Sequence, residues 1–322
     1  RLLAPLGLLY GLGAALNGAW QAARAWEGRL PVLSVGNLEI GGTGKTPTVA
    51  LLAQLLAEAG WRPGVVTGLW GRPARGHRLL SREAADFARA APDEARLLAA
   101  RLPGLPLVAA RPKWEGARWL EASGRCDLLI VDDGFQHRRL ARHLDLVLLS
   151  PGCALSPWRL LPAGPLREFP GALARASAYA LAVGEAAPAR WPAPVLRLVA
   201  GAPCLVELDG RPAAPWPDGY LSVAGIARPE RFEAAAAGAG LALRGRLRVA
   251  DHADWTPRLR RRIAAAGAAL RGARVLLTEK DAQRWASSWD LPGPAPQVLA
   301  ANLQLADPAA ALALLRERLG GA

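Results

Sequence analysis

The sequence predicts an α/β fold: a doubly wound, mostly parallel sheet followed by a second, smaller α/β domain. Three observations predict it. Short apolar runs alternate with helical segments from about residue 30 to 150, the pattern of βαβ units. A glycine-rich stretch, "EIGGTGKT" (39–46), lies between a strand pattern and a helix pattern. Another apolar run, "CDLLIVDDG" (126–134), ends in two aspartates.

Taken in order, "LPVLSVGN" (30–37) reads as a buried strand and "TPTVALLAQLLAEAG" (46–60) as a helix stopped by Gly60. "RPGVVTG" (62–68) is a second strand, "DEARLLAARL" (93–102) a helix and "LPLVAA" (105–110) a third strand. "EGARWLEASG" (115–124) is a helix closed by Gly124; "CDLLIVDDG" and "LDLVLLS" (144–150) are strands. From Pro194 the texture changes. "VLRLVAG" and "CLVELDG" read as a hairpin or two-stranded connector. Segments 219–227, 231–240, 242–250, 258–267 and 273–282 then alternate again as a second unit. The expected organisation is an N-terminal helix over 1–27, a main domain over 28–193, a two-stranded linker over 194–217 and a C-terminal domain over 218–322.

Composition sets limits. The chain has 322 residues, 52% of them hydrophobic and 21% charged, which excludes a disordered chain and allows two cored domains. Cys126, Cys153 and Cys204 lie far apart without a C-x-x-C, against a disulfide framework or a zinc site. The net charge of +13 fits either solvated basic faces or an anionic partner. No RNP, zinc-finger or basic-zipper pattern is present, so no nucleic-acid partner is expected. Leu2 to Trp20 carries no charge and is followed by Arg24 and Trp26, residue types that anchor at a lipid–water interface. Pro5, four glycines and Asn17 argue against a spanning helix. A helix lying on or dipping into a membrane surface is expected.

The glycine loop carries the first chemistry. A strand that feeds a glycine turn into a helix aims backbone N–H groups and the positive end of a dipole at one point. Glu39, Ile40, Gly41, Gly42, Thr43 and Gly44 would wrap a phosphate, Lys45 would reach the outer phosphates and the Thr46 hydroxyl would ligate Mg²⁺. The P-loop pattern places glycine where Glu39 stands. The strand ending in Asp132 and Asp133 places one of these carboxylates beside the metal.

"SVGNLEIGGTGKTP", "VDDGFQHRRLARHLDLVLL", "LLPAGPLRE", "VAGIARPERF", "ADHADW" and "TEKDAQRW" occur in the order found in the tetraacyldisaccharide 4′-kinase family, the lipid A kinases of Gram-negative bacteria. The chain resembles that family over nearly its whole length. The resemblance implies two α/β/α units joined by a two-stranded linker. It implies transfer of the ATP γ-phosphate to the 4′-hydroxyl of a tetraacylated glucosamine disaccharide 1-phosphate, with Mg²⁺. It implies a peripheral enzyme, expected to be a monomer, on the cytoplasmic face of the inner membrane. The family carries its upstream glycine three residues early, as Gly36 does, so Glu39 is no defect. By the same resemblance Asp93 is the general base, with Glu94 beside the metal and His252 as the partner of the base. Lys45, Asp132, Asp133 and Glu168 are further catalytic residues. Asn37, Arg72, Arg111, Gln136, His137, Arg138 and Arg167 are substrate contacts; Thr46, Asp132, Glu94 and Gln136 are metal-side groups.

The chain departs from the family where Gly68 replaces the arginine of S-R-G-Y-G, and at Pro92, Ala95 and His143. Two other classes share the loop and the aspartates: another P-loop small-molecule kinase, and a membrane-associated switch NTPase. The first leaves the apolar N-terminus and "TEKDA" unexplained; the second would explain the charge and predicts ATPase activity with no phosphorylated product.

Overall fold

The computed structural model describes residues 3–41, 43–69, 78–150, 155–156, 159–182, 194–251, 255–285 and 293–320. The chain forms two compact units, one of residues 1–199 with 303–322, the other of 200–302.

The first unit is built on a nine-stranded sheet. Its centre is β1 (Val32–Asn37), flanked by β5 (Leu128–Asp132) and β6 (Leu144–Leu148), both parallel to it. Beyond β5 lie β2 (Pro63–Gly68), β4 (Leu107–Arg111) and the antiparallel edge strand β3 (Arg78–Ser81). Beyond β6 lie β7 (Ala178–Ala182), β8 (Val195–Ala200) and β14 (Leu303–Leu305). β1, β2 and β5 are buried from end to end, as expected of strands covered on both faces. On one face α2 (Lys45–Glu58), α4 (Asp93–Arg101) and α9 (Pro308–Leu319) bury Leu52, Leu56, Leu98 and Leu315 against Val35, Val65 and Ile130. On the other, α5 (Lys113–Ala122) packs Ala117 and Leu120 against Val66, Val108 and Val131. Asn37, Thr67 and Asp132 lie at the carboxyl ends of β1, β2 and β5, the edge of an open α/β sheet where ligands bind.

The second unit is a five-stranded sheet in the order β11 (Leu243–Arg248), β10 (Tyr220–Ala224), β12 (Arg274–Thr278), β13 (Gln297–Ala300), β9 (Cys204–Glu207). Only β9 runs antiparallel, against β13. Helices α6 (Pro229–Gly238) and α7 (Pro257–Ala269) cover it.

Two expectations about the connection differ from the structure. "VLRLVAG" and "CLVELDG" do not pair as a hairpin: β8 joins the large sheet beside β7, and β9 joins the small one. The segment after Asn302 returns to the first unit, where Leu305, Ala311, Leu315 and Leu319 are buried in the core shared with α2. The physical reason is burial. Each strand continues a ladder with an open edge, and α9 packs its apolar residues into the core with α2.

The helix expected near the N-terminus is α1 (Ala4–Ala22), and its polarity is inverted. Gly7, Gly11 and Gly18 face inward, while Leu6, Leu9, Leu12, Leu16 and Trp20 are exposed. The glycines allow close approach: a Cβ at Gly11 would lie 2.7 Å from Leu160 Cδ1 and from the Phe169 ring. Among the described residues no helix is long and apolar enough to cross a membrane.

Gly36 proves to be a packing residue. It sits inside β1, where a Cβ would fall 2.5 Å from Phe135 Cβ and 2.7 Å from the Phe135 backbone nitrogen. Its missing side chain lets the turn after β5 press onto β1. Gly36→Ala should therefore push that turn away and destabilise the protein by about 1–3 kcal/mol, the usual cost of overpacking. A Tm equal to that of the wild type would show that the turn has room to move.

Candidate active site

The loop between β1 and α2 is shaped by its glycines and by a neighbouring segment. Gly44, the residue before α2, has φ 86°, and Gly41 has φ 108°, conformations that side chains disfavour. The Ile40 N–H donates to Pro165 O at 2.8 Å, and the Arg167 N–H donates to Leu38 O at 2.8 Å. The loop is thus tied to residues 165–167. Asn37 closes it from within: its Nδ2 donates to Thr43 Oγ1 at 2.9 Å, and its Oδ1 accepts from Lys45 Nζ at 3.0 Å. Lys45 Nζ also lies 3.4 Å from Asp133 Oδ1. Gly42 lies outside the described residues.

The aspartates at the end of β5 sit in different environments. Asp132 is buried, and its Oδ2 accepts from the Thr46 hydroxyl at 3.4 Å and the Thr67 hydroxyl at 3.3 Å. Its Oδ1 is buried without a hydrogen-bond partner. Burial pushes this carboxyl up to about 6, against the pull of Lys113. Burial also opposes the charge on Asp133, but Lys113, Lys45 and Arg167 outweigh it and hold the carboxyl well below the usual range. Arg167 Nη1 donates to both oxygens of Asp133, at 3.0 and 2.9 Å. Asp133 has φ 51°, which costs energy for a residue with a side chain and persists only where its surroundings impose it.

Lys113 does the imposing. It is 2% exposed, and its Nζ donates to the backbone oxygens of Asp132 at 2.6 Å and Asp133 at 2.7 Å. Burial lowers its pKa. By sequence, Lys113 is only one of several cations that could stand in for the arginine missing at Gly68, and Thr67 is only the residue before that position. A signal for Lys113 existed: a cation in the first turn of a helix opposes the helix dipole, so its place there points to a partner outside the helix.

The other expected residues fall into three groups. Gln136 Nε2 donates to Asn37 O at 3.0 Å, and its oxygen faces Arg167 Nη1 at 3.5 Å, so it joins the loop, the aspartate turn and Arg167. Glu94 lies close enough for its charge to be felt at Asp132. Asp93 opens α4 and pairs with Arg96 Nη2 at 2.7 Å, and Arg111 stands exposed at the end of β4. A second group supports the site from behind. Glu168 is buried and binds Arg175 Nη2 at 3.0 Å, while the Arg175 guanidinium lies 4.5 Å from the centre of the Phe135 ring. Glu168 thus holds the arginine that lies over the ring of Phe135, whose Cβ and backbone press on Gly36. Burial first, and Lys113 next, lower the His137 pKa to about 3, which keeps it neutral. Arg138 lies against Gly18 of α1. Glu39 meets Leu166 through its backbone, and its Oε2 is buried without a hydrogen-bond partner. Arg72 and His252 lie outside the described residues.

A strand, a glycine loop and a helix that bring a lysine and a threonine onto two aspartates of the adjacent strand define a P-loop phosphotransferase. The family model described as Tetraacyldisaccharide-1-P 4′-kinase matches residues 1–320. A tetraacyldisaccharide 4′-kinase from Aeromonas hydrophila is 37% identical over 287 residues, 87% of this chain and 82% of that protein. One from Bradyrhizobium is 35% identical over 334 residues, 100% of this chain and 95% of that protein. The crystal structure of LpxK from Aquifex aeolicus, described as an "apo" form in complex with ATP, superposes with a TM-score of 0.78. It covers 98% of both chains at 25% identity. The chain belongs to the tetraacyldisaccharide-1-P 4′-kinase family.

The raised Asp132 carboxyl makes a prediction about pH. The unfolded chain ionises this group near 3.8 and the folded protein near 6. Folded stability therefore falls as pH rises between those values, by up to about 3 kcal/mol, and stays lower above them. In EDTA at pH 8, Asp132→Asn should raise Tm by several degrees, and the gain should vanish below about pH 4. A gain equal at both pH values would mean that charge burial is not its source.

Proposed function

We propose that the protein transfers the γ-phosphate of ATP to the 4′-hydroxyl of an acylated glucosamine disaccharide 1-phosphate, the step that yields lipid IVA in lipid A biosynthesis. The observation that carries this reading is the meeting of Lys45, Thr46, Asp132 and Asp133 at the carboxyl end of the large sheet. Residues 39–46 receive the phosphates of ATP. Lys45, already drawn toward Asp133, supplies positive charge where the moving phosphoryl group gathers negative charge.

The residues fit Mg²⁺. Asp132 offers a buried, unpartnered Oδ1, a hard oxygen, while its Oδ2 takes the Thr46 hydroxyl, and a carboxylate with a neighbouring hydroxyl suits Mg²⁺. Thr46 and Asp132 would hold the ion, with the Glu94 charge nearby, and it would supply positive charge against the phosphates. Asp133, kept ionised by its cationic neighbours, holds Lys45 and Arg167 in place. Asp93 accepts the proton of the 4′-hydroxyl as the oxygen–phosphorus bond forms and the bond to ADP breaks. Arg111 and Arg167 meet anionic groups of the substrate.

The exposed leucines of α1, continued by Trp20 with Arg24 stacked 4.6 Å from its ring centre, suit a helix lying in the interface of the inner membrane. The enzyme then reaches a lipid substrate from the cytoplasmic face without spanning the bilayer.

The direct test is label transfer from γ-labelled ATP to the disaccharide 1-phosphate lipid, with the product's phosphate position determined. Lys45→Ala should lower kcat by about 10²–10³-fold, and Asp93→Ala by roughly 10²–10⁴-fold with little change in the KM for ATP. ATP hydrolysis with no labelled lipid would favour a switch NTPase instead.

Replacing Leu9 and Leu16 together by Gln should weaken partition onto phospholipid vesicles at least about tenfold, since each leucine would bury roughly 1.5–3 kcal/mol of apolar surface. Unchanged pelleting that salt then abolishes would assign the anchor to the basic surface.

A further inference from the structure

We infer that Thr67 is a positioning residue for Asp132: its hydroxyl selects which carboxylate oxygen is turned toward the metal. The inference rests on the reading of Asp132 as the metal-side carboxylate.

Thr67 is the penultimate residue of β2. That strand pairs in parallel with β5 through Val65–Ile130 and Val66–Val131, and the same register carried one step further sets Thr67 beside Asp132. Both residues are buried, at 2% and 4% exposure. The position follows Val65 and Val66, and a valine would fill the same space. A buried hydroxyl is costly unless bonded, and the hydrogen bond Thr67 Oγ1 makes is to Asp132 Oδ2 at 3.3 Å.

That oxygen also takes the Thr46 hydroxyl, at 3.4 Å. Two donors on Oδ2 leave Oδ1 bare, although it too is buried. A carboxylate with one donor can rotate and exchange its oxygens. With donors from two elements, a strand and a helix start, rotation breaks both bonds. Thr46 is a weak anchor by itself, because its own oxygen is expected to serve the cation. Thr67 has no such second duty: it sits in a strand covered on both faces, so its position changes little when the loop takes phosphate.

The experiment is Mn²⁺ binding read by electron paramagnetic resonance, with the full chain and a non-hydrolysable ATP analogue. Wild type, Thr67→Val, Thr67→Ser and Asp132→Asn are compared, with Tm in EDTA measured for each. Thr67→Val should raise the Kd for Mn²⁺ about 10–100-fold, the usual effect of losing a group that orients a metal ligand. Its Tm should stay near that of the wild type, and Thr67→Ser should bind Mn²⁺ as the wild type does. If Thr67→Val does not fold, Thr67→Ala removes the same hydroxyl without adding a methyl group, and the same rise is expected. Wild-type Mn²⁺ affinity in the folded Val or Ala variant, with affinity lost in Asp132→Asn, would overturn the role of Thr67 and leave the metal reading standing. Wild-type affinity in Asp132→Asn would overturn both.

Discussion

The grip of the Lys113 ammonium on the carbonyls of Asp132 and Asp133 is the interaction on which the phosphate-handling edge depends. It bends the chain immediately after β5 and sustains the left-handed conformation of Asp133. It also sends the two neighbouring carboxylates to different places. One is left in a buried pocket with two hydroxyl groups, the other among three cations. A lysine can do this because its bonds go to backbone oxygens, which remain acceptors whatever the protonation of the carboxylates. An ion pair to Asp132 would instead have quenched the charge that the site needs.

The same turn is pressed from the other side. Phe135 rests on Gly36, Arg175 lies over the Phe135 ring, and Glu168 holds Arg175. The charged pair at 167–168 is therefore divided in its work. Arg167 reaches Asp133, while Glu168 faces Arg175 behind the aromatic ring. Adjacent residues on an irregular segment point to opposite sides, and two neighbouring charges in a sequence need not share a function.

Much of this was legible in the sequence because it rests on local pattern. The β1–loop–α2 unit and the aspartates at the end of β5 are each read from apolar runs, glycines and helix stops that are neighbours in the sequence. What the sequence hid depends on contacts between distant segments. The role of Gly36 is visible only once Phe135 lies against it. Ala178–Ala182 is an alanine-rich strand whose composition favours helix, and the neighbouring strands decide its state. The return of β14 and α9 to the first unit is likewise invisible. Nothing in the sequence around residue 302 marks a departure from the second unit, and it is pairing beside β8 and burial against α2 that draw the last two elements back.

That return makes the second unit an insertion within the first. Leu305, Ala311, Leu315 and Leu319 belong to the same core as Leu52 and Leu56 of α2, yet about 250 residues separate them in the chain. During synthesis the sheet that carries the P-loop must wait, its α2 face partly bare, until all of residues 200–302 and then β14 and α9 have emerged from the ribosome. The smaller unit can complete its own sheet first. The unit that begins first in the chain is thus the last to have all of its core residues available.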